Sequence, residues 1–297
     1  MEGVSTRKVK DITEELCGTS FSKSLISSLA GSLDSELQAW RVRRLEAKAY
    51  PYLFVDARYE KARVDSRVVS QGVLVVSGVR DDGFREILAV EVADTESEAS
   101  YQELFGSLKA RGLCGVELVV SDDHRGLRAA VERHFQGASW QRCQVHYARN
   151  LLGMVGHTRR KELSEGLRGV FAAPSREVAL RLASEMAARW RMSHPRVAEH
   201  LEEHIEECLP CLAFPESHRR RIRTTNGLER LNQEIKRRTR VVRIFPNREA
   251  CLRLVTALAV EQSEEWLTGR RYLDMRELEE QRRQGEQKTE EVTLMER

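Results

Sequence analysis

The chain has 297 residues, 41% of them hydrophobic and 32% charged, which is enough to bury a large core in one catalytic domain with smaller appendages. No apolar run approaches the roughly 20 residues needed to span a bilayer. The amino terminus carries no apolar secretory stretch, so a soluble protein of the cytoplasm, without a membrane partner, is expected. Six cysteines in a chain of this length argue against a disulfide scaffold and for free thiols or a metal site. The net charge of +3 hides an uneven distribution: Arg219 to Arg243 holds ten Lys/Arg against two Glu, a local excess of 10 − 2 = +8. Such a patch is the footprint of a phosphate-backbone partner, the alternative being an exposed helix face that is merely basic.

Residues 5–16 and 22–33 have helical periodicity, and each opens on a serine able to cap a helix. The link Cys17-Gly18-Thr19-Ser20 between them suits a helix-turn-helix, which lays its second helix on DNA. Residues 34–49 read as a polar connecting helix ending before Pro51. A β-rich block follows. Tyr52–Ala57 is a short apolar strand that ends in the carboxylate of Asp56, and Val68–Val79 and Phe84–Val92 are β-branched runs either side of the turn Arg80-Asp81-Asp82-Gly83. A helix near 97–111, a buried strand at Gly115–Ser121, a helix at His124–Phe135 and a short strand at Ser139–Arg142 complete the order β-β-β-α-β-α-β. That order implies a mixed sheet with helices packed on it. Residues 147–218 form a helical insertion, with periodic segments at 147–155, 160–171, 175–191 and 196–208. Asn226–Arg238 and Arg248–Trp266 are the last core helices. The tail from Asp274, with eight acidic and five basic residues, is expected to be solvated and flexible.

Three carboxylates invite a chemical reading, and each has a structural alternative. Asp56 at a strand end could pair with Arg58. Asp122, after a buried strand, could cap the next helix, as could Asp123. Glu229 falls at the third position of a helix capped by Asn226, where a capping-box glutamate belongs. Taken together, two strand-end aspartates and a helix glutamate can converge at the carboxyl edge of a sheet. Such a cluster repels itself unless cations sit among its members. Hard oxygen donors suit Mg²⁺ or Mn²⁺, and two such ions clamp the attacking and leaving oxygens of an in-line phosphoryl displacement.

The segments YPYLFVDARY (50–59), VELVVSDDHRGLRAAV (116–131), SWQRCQVHYARNLL (139–152) and RIRTTNGLERLNQEIKRRTRVVRIFPN (221–247) resemble the bacterial IS256-type transposases, relatives of the plant Mutator elements. The likeness runs from about Gly3 to Arg271, with four motifs in the family's order. It implies an α/β, ribonuclease-H-like fold: a mixed sheet with helices on both faces, an all-α insertion before the last catalytic helix, and an N-terminal helix-turn-helix remnant. It also implies a catalytic triad of Asp56, Asp122 and Glu229 binding Mg²⁺ or Mn²⁺, with Asp122 chosen over Asp123 by the family pattern Ser-Asp-x-His-x-Gly-Leu. Family members extend further at the amino terminus, and a small residue is usual where Asp123 stands.

The implied reaction is cleavage of a DNA strand at an element end, followed by transfer of the freed 3′-hydroxyl to target DNA. Arg221, Arg223, Arg230, Lys236, Arg237, Arg238 and Arg240 are the expected DNA-binding cations. Partners are then terminal repeats, target DNA and a second copy of the chain, in a bacterial or archaeal cell. Two alternatives stay open: a DNA-binding remnant without catalysis, and a nuclease of the same fold. Cys143 and His146 match the family's Cys-x2-His signature, and with Cys208 and Cys211 they form a candidate structural Zn²⁺ site, although ordinary helix-end positions would explain the second pair.

Overall fold

The structure is a computed structural model that describes residues 23–295, with side chains from residue 31 to residue 287. The proposed first helix of the helix-turn-helix (5–16) and its turn lie outside the described residues. The second falls within a helix, α1 (Lys23–Val42), that runs on unbroken into the expected connector. Helix α1 is tied to the rest by the ion pairs Asp34–Arg253, at 2.5 Å, and Arg41–Glu91, at 2.7 Å.

The sheet contains β1 (Tyr52–Val64), β2 (Arg67–Val79), β3 (Arg85–Ala93), β4 (Leu118–Ser121) and β5 (Ser139–Arg142), in the spatial order β3-β2-β1-β4-β5. The β1–β2 and β2–β3 pairs are antiparallel, whereas β1–β4 and β4–β5 are parallel. The sheet is therefore mixed, as the element order implies. β1 does not end at Ala57. Its polar continuation, Arg58 to Val64, pairs residue for residue with Arg67 to Val73 in a long two-stranded arm, which Ala62 joins to Phe245 by an isolated bridge. Asp56 thus sits inside a strand rather than at its tip.

Strand alternation divides the core in two. Leu53, Val55, Leu74, Val76 and Val119 face one side, where they are covered by α2 (Glu98–Ala110) and α3 (Arg125–His134). Tyr52, Phe54, Val73, Val75, Leu118 and Val120 face the other. The second side carries the insertion, made of α4 (Gln144–Gly153), α5 (His157–Phe171), α6 (Arg176–Arg191), α7 (Pro195–His204), two 3₁₀ turns spanning 205–213, and the short α8 (Glu216–Ile222). It also carries α9 (Asn226–Val242) and α10 (Arg248–Thr268). Trp190 is buried within the insertion, while Trp266 lies under the guanidinium of Arg85.

The tail is helical, α11 (Arg276–Met295), and residues 279–287 are exposed, in keeping with a solvated segment. Its beginning is held down by buried Leu273, Met275 and Leu278 and by hydrogen bonds from Gln281 to the Ala213 carbonyl, at 2.6 Å, and from Ser217 to Glu277, at 2.7 Å. Composition alone did not reveal the helix because three apolar anchors among many charges carry no periodic signal.

The turn between β4 and α3 is specified residue by residue. Ser121 accepts a hydrogen bond from the Trp140 indole at 2.9 Å. His124, not either aspartate, caps α3, its Nδ1 accepting from the Leu127 amide at 3.2 Å. Leu127 is buried against α2, and a Cβ built on Gly126 would lie 2.6 Å from the Glu98 amide nitrogen. Only glycine lets the two helices approach this closely. Gly126→Ala is expected to force backbone displacement and to destabilise the protein by about 1–3 kcal/mol, the usual range for overpacking; denaturant unfolding of the two proteins measures it, and an unchanged midpoint would show that α3 yields freely.

Candidate active site at the carboxyl edge of the sheet

Parallel pairing aligns Tyr52 with Leu118, Leu53 with Val119 and Phe54 with Val120. Asp56 and Asp122 each lie two residues beyond the last of these pairs, Asp56 still within β1 and Asp122 just past the end of β4. Here β4 ends and β1 goes on with β2 as its strand partner, which leaves a gap along its other edge beside Asp56.

Helix α9 closes that gap. Its Leu228, Leu231 and Ile235 are buried against the sheet, a spacing of three and four residues that leaves Glu229, Asn232 and Lys236 on an adjacent stripe. Asn232 donates from Nδ2 to Asp56 Oδ2. Arg58 donates to the Asn232 carbonyl, and Thr239 donates to Glu60 at 3.2 Å. Alternate residues of β1 thereby clamp the helix. Glu229 lies one turn before Asn232, exposed, and its charge acts on the ring of His146. The residue before α9 is Thr225 and no side chain caps the helix, so the capping-box alternative for Glu229 is not realised.

His146, on α4, turns Nδ1 to Asp122 Oδ1, and neither atom has another hydrogen-bond partner. Burial is the first cause lowering the His146 pKa, followed by Arg149, with Glu229 opposing. Cys143 is fully buried, and its sulfur accepts from the Thr225 amide at 3.4 Å and from its hydroxyl at 3.5 Å, fastening the start of α9 to that of α4.

Asp122, Cys143 and His146 bring their ligand atoms within 4.8 Å of one another, the one such group of His, Cys, Asp and Glu among the described residues. The three carboxylates of the expected triad do not form such a group: Asp56 is turned to Asn232, and Glu229 is exposed on α9. Nor do Cys143, His146, Cys208 and Cys211 gather into the expected four-ligand zinc site: Asp122 takes the place beside Cys143 and His146. Cys208 and Cys211 are buried with partners of their own, Gln144 donating to the Cys208 carbonyl at 2.8 Å and the Cys211 amide donating to Gln141 at 2.6 Å. Burial pushes the Cys208 thiol well up and that of Cys211 up to about 11, so both are protonated at pH 7.

Two residues that the sequence did not single out complete the site. Asn232 was hidden because an exposed-looking asparagine on a helix has no pattern of its own; its one signal is the three-residue spacing from Glu229. Arg142, 2% exposed, pairs with Asp123 at 3.0 Å and with Glu207 at 3.2 Å. It neutralises the extra charge at Asp123 and ties the insertion to the sheet edge.

The expected DNA-binding cations are spread over one surface. Arg230, Lys236 and Arg240 are exposed along α9. Arg237 and Arg238 lean on Glu234, at 2.6 Å and 2.8 Å. Arg221 donates to the Tyr272 carbonyl and lies over its ring, while Arg223 is half-buried at the end of α8.

The Transposase, Mutator family profile matches residues 1–269. The chain is 46% identical over 283 residues to the transposase for insertion sequence element ISRM5 of Rhizobium meliloti, covering 95% of this chain and 71% of that protein. It is 45% identical to the IS406 transposase of Burkholderia multivorans, covering 92% and 71%. With the IS256 transposase of transposon Tn4001 from Staphylococcus aureus it shares 39% identity, again over 92% and 71%. Among solved structures it is similar to the Drosophila P element transposase strand transfer complex at 8% identity and a TM-score of 0.29, over 80% of this chain and 70% of that one, a level below that of a common fold.

The carboxylate of Asp56 has a testable signature. Desolvation outweighs the Asn232 and Ala57 hydrogen bonds and, with Glu96 nearby, raises its pKa from 3.8 to about 6. A carboxyl whose folded pKa exceeds the unfolded one binds more protons when folded, so it favours folding below about pH 4 and loses that contribution as pH rises to about 6. At about 1.4 kcal/mol per unit the difference is on the order of 3 kcal/mol. Chelator-treated protein should therefore lose stability between pH 4 and 6 by more than Asp56→Asn does; parallel pH profiles in denaturant melts would assign the shift elsewhere.

Proposed function

The chain belongs to the Mutator family of transposases and functions in the transposition of an insertion sequence, and we propose that it does so by metal-dependent cleavage and transfer of DNA strands at a centre formed by Asp56, Asp122 and Glu229. What supports this reading is the hydrogen bond from Asn232 to Asp56, which holds α9, the helix bearing Glu229, against β1, while His146, on which the Glu229 charge acts, faces Asp122. The strand order β3-β2-β1-β4-β5, three antiparallel then two parallel, supports a ribonuclease-H-like fold.

The donor set suits a small hard divalent cation, Mg²⁺ or Mn²⁺: carboxylate oxygens, that of Asp56 buried and titrating near 6, and Asp122 Oδ1, which has no hydrogen-bond partner and faces His146. Asp56, Asp122 and Glu229 would hold it. When bound, it neutralises phosphate charge and eases attack by an oxygen nucleophile.

The rest is the work of the chain itself. Asn232 orients Asp56, and His146 orients Asp122. Arg142 holds Asp123 away from the site by pairing with it. Arg230, Lys236 and Arg240 take the phosphate backbone, with Arg221, Arg223, Arg237 and Arg238 flanking them. In the first step water attacks a phosphodiester at the element end, and the bond to the leaving 3′-oxygen breaks. That 3′-hydroxyl then attacks a target phosphodiester, exchanging one ester bond for another without an external energy source.

A strand-transfer assay on labelled element-end DNA tests the proposal, with joined products expected; cleavage without joining would indicate a nuclease instead. Asp56→Ala, Asp122→Ala and Glu229→Ala are each expected to lower product by at least about 100-fold, as loss of a positioning contact does, with gel-shift affinity largely kept. Retained activity in any one removes that residue from the centre.

A further inference from the structure

Between α4, the second half of α5 and the segment joining α8 to α9 lies a cavity of about 500 Å³, within the range of small-ligand sites. Val145, Ala148, Leu167 and Phe171 form an apolar wall. Around it stand Arg168, Arg220 and Arg223, whose guanidinium groups make no ion pair or side-chain hydrogen bond among the described residues. Neighbouring arginines of the insertion, Arg159, Arg176 and Arg191, are by contrast matched by glutamates. Three unmatched cations call for an anion, and the wall beside them calls for a flat apolar body.

We propose that this cavity receives one unpaired nucleotide of the DNA strand being processed, with its base against Phe171 and the apolar wall and its phosphates at Arg168, Arg220 and Arg223. A base within a duplex is stacked and cannot enter, so the nucleotide must be single-stranded or turned out of the helix. The strand, rather than a free nucleotide, is indicated by position. Asn226, which lines the cavity, begins the turn of α9 that carries Glu229, and Val145 adjoins His146 on α4. A strand crossing the basic face of α9 toward the carboxylates passes the opening. The proposal rests on the DNA-processing reading above and adds to it the place where the strand is held unpaired.

The test needs no catalysis, so it can fail or succeed apart from the triad. The full chain, in EDTA, is titrated against a blunt duplex and against the same duplex with a short single-stranded extension containing 2-aminopurine. Tighter binding to the extended DNA and quenching of the 2-aminopurine are expected. Phe171→Ala should weaken binding of the extended DNA about ten-fold, the loss of one stacked base, and abolish the quench, with Phe171→Trp restoring both. Phe171 also touches Tyr147, so Arg168→Gln and Arg220→Gln, at exposed positions, serve as variants without packing loss. Each should reduce the salt slope of binding to the extended DNA by about 0.7. The proposal is overturned if paired and unpaired DNA bind alike, if the variants weaken both equally, or if excess free dAMP displaces the extension, which would make the cavity a mononucleotide site.

Discussion

Three residue pairs between β1 and β4 set the geometry on which the site depends. The offset from Tyr52 to Leu118 equals that from Asp56 to Asp122, and the pairing buries Tyr52, Phe54, Leu118 and Val120 on one face and Leu53 and Val119 on the other. Both faces of β4 are apolar and buried, so a slip of one residue would press each side chain into a core packed around another.

The turn after β4 separates structural work from chemistry. Ser121, His124, Gly126 and Leu127 are each engaged by an indole, a helix cap, a close backbone approach or a core. Asp123 is matched by Arg142. The Asp122 carbonyl accepts from Ser121 and from the His124 amide, while its side chain is half-exposed and faces His146 and Cys143 without a hydrogen-bond partner for Oδ1. A helix capped by histidine leaves the neighbouring aspartate available, which is why the ambiguity between cap and ligand dissolves once the cap is seen.

Much of this was legible in the chain. The alternation in Val68–Val79 and the apolar run before Asp122 give the strands, and the 3.6-residue period gives α9 with Glu229 near its start. What was not legible has physical causes. The outer half of β1, Arg58–Val64, reads as polar because its strand partner is β2 alone and its inner face meets α9 through Arg58 and Glu60 rather than an apolar core, while Tyr59, Lys61 and Arg63 are exposed. Helix α11 rests on three apolar anchors near its start. The fate of the cysteines turned on three-dimensional placement: Cys-x2-His brings two side chains to one helix start, but which third group meets them is decided by where β4 ends. Spacing in the sequence allowed Cys208 and Cys211 as a candidate second pair; the fold supplies Asp122.

Charge explains why the centre is built on α9 rather than on a loop. Asp56 is buried, and desolvation disfavours its ionised form more than the amide of Asn232 helps it. A cation would reverse that balance, provided Asp56 and its neighbours stay fixed while the metal and the DNA phosphates come and go. A helix seated by Leu228, Leu231 and Ile235, clamped through Asn232 and Thr239, and fastened at its start to Cys143 gives that rigidity. The same helix carries Glu229 near its start and exposed Arg230, Lys236 and Arg240 along it. In the proposed reaction a single element therefore sets the distance between the acidic centre and the basic side chains, so loss of the α9 clamp would disturb position and charge together.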